Sequence, residues 1–113
     1  MKWKEGVYTE VHSIVKGVEE VLKFVPAILA AMKIADEISQ RLFGIEGVVT
    51  SGFDGKHKKG SKHYTGEAFD WRINHYHEED VQTLYETLKD ELGDDYDVVL
   101  HKGSHIHIEY DPK

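Results

Sequence analysis

Ala68-Phe69-Asp70-Trp71-Arg72-Ile73 alternates without a break, the period-two pattern of a strand with one buried face. Phe69, Trp71 and Ile73 would face a core, while Ala68, Asp70 and Arg72 share the other side. The pattern returns in His105-Ile106-His107-Ile108-Glu109-Tyr110, with Ile106, Ile108 and Tyr110 on one face and His105, His107 and Glu109 on the other. Asp97 to His101 reads as a companion strand, joined to it through the turn Lys102-Gly103-Ser104 as a hairpin. If Val98 and Leu100 face the core, His101 joins the polar face. Gly47 to Ser51 is short and β-branched and adds another strand, followed by a polar, glycine-punctuated loop from Gly52 to Gly60.

Outside these strands the apolar period lengthens to that of helices. Residues from about Tyr8 to Phe24 place Val11, Ile14, Val15, Val18, Val21 and Leu22 on one face, although Gly17 weakens that helix by up to ~1 kcal/mol. Pro26 stands where a second helix begins, with a stripe of Ile28, Leu29, Met32, Ala35, Ile38 and Leu42 and a stop at Gly44. Glu78 to Leu92 gives a third, with Val81, Leu84, Tyr85, Leu88 and Leu92 inward, acidic residues in its first turn and Gly93 at its end. Helices come first, then strands with one helix among them. The expected fold is therefore α+β, a small antiparallel sheet with helices packed on one face. A length of 113 residues fits one domain spanning 1–113.

Composition narrows the chemistry. Fourteen basic against 21 acidic residues leave a formal net charge of −7, which argues against nucleic acid or an anionic membrane surface as partner. No stretch approaches the ~20 apolar residues of a membrane span, and the N-terminus lacks the apolar run of a secretory signal. With no cysteine, any metal must be held by nitrogen and oxygen.

Alternation gathers Asp70, His101, His105 and His107 on the polar face of the sheet, with His63 just ahead of Asp70. Two imidazoles and a carboxylate are the usual protein ligands of a catalytic zinc with one position open. The same set also makes the facial triad of non-haem iron enzymes, but those show a tighter His–Asp pair than the six residues between His63 and Asp70. His12, His57, His75 and His77 read as ordinary surface histidines. The lysines between Lys56 and Lys62 read as a solvated face, and acidic pairs such as Asp94-Asp95 are too scattered to argue for calcium.

The string Val49-Thr50-Ser51-Gly52, through Asp54-Gly55, His57, Ser61, His63, Gly66, Ala68 and Asp70, resembles the SxHxxGxAxD region of the M15-type peptidoglycan peptidases. That group comprises D-alanyl-D-alanine carboxypeptidases and phage endolysin endopeptidases, and the zinc domain of the hedgehog signalling proteins shares its pattern. His105-Ile106-His107 is similar to their closing HxH, so the resemblance runs from about Val48 to Tyr110. It implies a hedgehog-like or DD-peptidase-like fold with the zinc site on the sheet face opposite the helices. It further implies that His63, Asp70 and His107 bind Zn2+, that His105 stands beside the metal to hydrogen-bond the substrate, and that Ser61 braces the loop carrying His63. Gly66 would occupy a turn that a side chain would obstruct.

The activity so implied is zinc-dependent hydrolysis of an amide bond in peptidoglycan stem or cross-bridge peptides. The nucleophile is a water whose pKa is lowered toward ~7. Two positions depart from the family pattern. Where relatives carry Glu or Asp shortly before HxH, this chain has His101, an imidazole whose ordinary pKa of ~6.5 suits a general base at neutral pH; Glu109 or a loop carboxylate is the alternative base. Carboxypeptidase relatives tend to place an arginine near the start of the motif, whereas here Phe53, Lys56 and Glu67 stand in that region, which favours an endopeptidase. The resemblance thus points to a wall-degrading enzyme, plausible for a phage, made in the cytoplasm and reaching the wall on release or within a phage particle. A zinc-containing binding or structural domain without hydrolysis is the alternative.

Overall fold

The computed structural model describes residues 1–3, 24–51 and 66–112. The helix expected over 8–24 falls outside these residues except for Phe24, as do the loop expected over 52–60 and His12, His57, Ser61 and His63. The elements in chain order are β1 (Lys2–Trp3), α1 (Pro26–Phe43), β2 (Val48–Ser51), β3 (Ala68–Arg72), α2 (Glu78–Leu92), β4 (Tyr96–His101) and β5 (His105–Tyr110).

They form a five-stranded sheet in the order β1-β2-β3-β5-β4. Four strands are mutually antiparallel, and β1 adds to β2 in parallel. The fold is α+β, as the change of period indicates. The parallel edge strand is not legible beforehand, because two residues carry no pattern and their partner lies far along the chain. Strand β5 enters between β3 and β4, so the hairpin β4–β5 delivers His107 directly opposite Asp70.

Register sorts the two faces of the sheet. Phe69 pairs with Ile108, Trp71 with Ile106, and Val98 with Ile108, and all five side chains are buried in one core with α1 and α2. Helix α1 contributes Ile28, Ala31, Met32, Ala35 and Ile38, while α2 contributes Leu84, Leu88 and Leu92. One expectation fails here: Leu42 is 44% exposed, and in the last turn of α1 it is Phe43 that packs against the core and the Tyr76 ring. Gly44 closes that helix with its N–H on the Gln40 carbonyl, and Ile45 N–H reaches Ser39, a pairing that satisfies carbonyls otherwise orphaned at a helix end.

Three features hold β2 and β3 in place. A Cβ on Gly47 would lie 1.7 Å from the Trp71 ring, so the backbone entering β2 packs directly against the indole and only glycine fits. Trp71 Nε1–H donates to Tyr76 Oη at 3.2 Å, Tyr76 donates to Ser39 Oγ at 2.6 Å, and Ser39 donates to the Ile45 carbonyl at 2.5 Å. This chain ties α1 to β3 with every buried donor satisfied. At the other end of β3, Gly66 takes φ +74° while its carbonyl accepts Val25 N–H at 3.1 Å. That positive φ is the left-handed region, which disfavours any residue with a Cβ.

Candidate metal site on the polar sheet face

Opposite the core, β3, β5 and β4 present Asp70, His105, His107, Glu109, Asp97, Val99 and His101. Asp70 and His107 are direct cross-strand partners, and His105 stands diagonally from Asp70 on the same face. His107 Nδ1 lies 3.0 Å from Asp70 Oδ1, and His107 Nε2 lies 2.9 Å from Glu109 Oε1. His105 Nε2 is 3.7 Å from the same Asp70 oxygen, and its Nδ1 is 2.7 Å from Ser104 Oγ. The rings of His101 and His105 lie against each other with centroids 4.7 Å apart. Of the expected site residues, Asp70, His105 and His107 are therefore drawn together. His101 is exposed on the outer strand and joins them through His105. His63 lies outside the described residues.

The electrostatics follow from one ring held between two carboxylates. A neutral imidazole has one N–H and one lone pair, yet both nitrogens of His107 face acceptors. Either a second proton or a metal cation must relieve the contact on one side. The hydrogen bond to Asp70 is the largest influence and raises the His107 pKa above its ordinary 6.5; burial opposes it, and Glu109 adds to the rise.

Asp70 and His107 supply one oxygen and one nitrogen donor, ligand types that divalent transition metals accept. Two ligands of one tetrahedral zinc, with metal–ligand distances near 2.0–2.2 Å, have donor atoms about 3.3–3.6 Å apart; the 3.0 Å between His107 Nδ1 and Asp70 Oδ1 is a hydrogen-bond distance. Among the described residues Asp70, His105 and His107 do not make a group of three donor atoms within 4.8 Å of one another.

A second grouping escapes sequence inspection. Asp97 pairs with Glu109 across β4 and β5, and with Asp111 each offers one carboxylate oxygen within 4.8 Å of the others, close enough to share a cation. Strand pairing brings together acidic residues that look scattered along the chain; alternation predicts the shared face of Asp97 and Glu109 once the register is known. The cavity of about 420 Å³ bounded by Ile73, Tyr76, Val81 and Leu100 belongs to the helix-covered side and is separate from this face.

The chain matches no protein-family model and no curated protein sequence.

Proposed function

We propose that this protein is a zinc-dependent peptidase that hydrolyses an amide bond in bacterial peptidoglycan peptides. The observation carrying the reading is the Asp70–His107 pair, an oxygen and a nitrogen donor 3.0 Å apart on the polar sheet face with His105 beside them. The spacing of His63, Asp70 and His107, similar to that of the M15-type peptidases and the hedgehog domain, supports both the metal and the hedgehog-like fold.

In this reading His63, Asp70 and His107 hold Zn2+, which when bound polarises the scissile carbonyl and acidifies a water. His105, with Nδ1 on Ser104 Oγ, directs Nε2–H at the carbonyl oxygen of the substrate. His101 accepts a proton on a ring nitrogen and returns it to the leaving amine. Val99, 43% exposed and directly opposite His107, offers an apolar contact for the peptide. The enzyme meets the wall after release from the cell or as part of a phage particle.

Mass spectrometry of peptidoglycan fragments after incubation with the zinc-loaded protein tests this. New fragments that disappear with His63→Ala are expected; intact peptidoglycan across the pH range would refute hydrolysis. One observation favours a second reading, a zinc-containing binding domain: position 101 is an exposed imidazole lying against His105, where the M15-type pattern has an acid. Full zinc occupancy without any fragment release would select it.

A further inference from the structure

We infer that Glu109 is a positioning residue, the carboxylate that holds His107 with Nδ1 turned to the metal. The inference rests on the zinc reading above and adds a role to it. His107 and Glu109 are two residues apart on β5 and share its polar face. The contact between Nε2 and Glu109 Oε1 is 2.9 Å, while Nδ1 faces Asp70 at 3.0 Å. With Nε2–H donating to Glu109, the lone pair of the neutral ring lies on Nδ1, the nitrogen beside the other expected ligand. Turning the ring over about its Cβ–Cγ bond would put carbon atoms where both nitrogens now stand and forfeit both contacts. Ala68, directly opposite Glu109 across β3 and β5, brings only a methyl group to that position.

A carboxylate on the far nitrogen of a metal-bound histidine fixes the tautomer and raises the basicity of the ligating nitrogen. On this assignment Glu109 is a positioning residue and not the general base. The His107 ring stands between Glu109 and the atoms that face Asp70, so Glu109 does not reach a water there while it accepts from Nε2.

The test uses the full chain and zinc alone. Zinc dissociation constants are measured by competition with a chromophoric chelator, and the protonation of the His107 ring by long-range 1H–15N correlation. One zinc per wild-type chain with the proton on Nε2 is expected. Glu109→Ala should weaken zinc about 10- to 100-fold, and Glu109→Gln, whose amide oxygen can still accept, should recover part of the loss. Glu109→Met replaces the alanine variant if that one does not fold. An unchanged dissociation constant and an unchanged tautomer in Glu109→Ala or Glu109→Met would overturn the assignment, as would full zinc affinity with loss of hydrolysis alone, which would mark Glu109 as a base. A wild-type chain that binds no stoichiometric zinc would instead overturn the zinc reading, and this inference with it.

Discussion

At the scale of the residue, His107 concentrates the chemistry. Without metal the ring sits between Asp70 and Glu109, and its pKa is raised. A group whose pKa is higher folded than unfolded contributes stability that is full below its ordinary value of ~6.5 and is lost as pH rises through the folded pKa. Thermal unfolding in a chelator should therefore show this contribution fading from about pH 6.5 upward, and His107→Gln should remove it. Zinc held as proposed would reverse the sign, because protons compete for the ligand nitrogens: stabilisation by zinc should grow as pH rises and vanish below about pH 6. Asp70→Ala and His107→Ala should each lower zinc affinity by more than about 100-fold in chelator competition. Stoichiometric, tightly held zinc in either variant would remove that residue from the ligand set.

At the scale of the element, β3 is the strand on which both faces depend. Its core side is locked by Trp71, which meets the Gly47 backbone on one side and donates to Tyr76 through Nε1. Gly47→Ala drives a methyl group into a fully buried ring, an overpacking that should cost about 3 kcal/mol in denaturant unfolding. Tyr76→Phe deprives the Trp71 N–H of its acceptor and Ser39 of its donor, for about 1–3 kcal/mol. Because Asp70 is the neighbour of Trp71 and lies on the opposite face, both changes should also weaken zinc without touching a ligand. Measured zinc affinity that stays at the wild-type value in a destabilised Tyr76→Phe would show that the two faces are mechanically independent.

At the scale of the whole molecule, a metal bound only by the folded chain shifts the folding equilibrium by mass action. Free zinc at 100 times its dissociation constant should add about 2.7 kcal/mol, a rise in melting temperature on the order of 10 °C for a domain of this size. No melting shift with saturating zinc would count against a site assembled from separate strands. The catalytic reading has its own whole-protein signature: His101→Ala should retain zinc and the melting shift while fragment release from peptidoglycan falls by at least about 100-fold.

Much of the fold is legible in the sequence. Strand alternation placed Phe69, Trp71, Ile106 and Ile108 in the core, and the helical stripe from Glu78 to Leu92 buries Leu84, Leu88 and Leu92 as its spacing indicates. These are local patterns, set by which side of one element each residue occupies, and the sequence by itself determines them. The polar face of Asp70, His105 and His107 follows from the same rule. Which residues on that face meet is a different matter. The insertion of β5 between β3 and β4, the register that sets Asp70 against His107, and the gathering of Asp97 beside Glu109 are long-range pairings. They depend on how hairpin, sheet and helices bury their apolar sides together, so only the tertiary structure decides that His107 is clasped by two carboxylates.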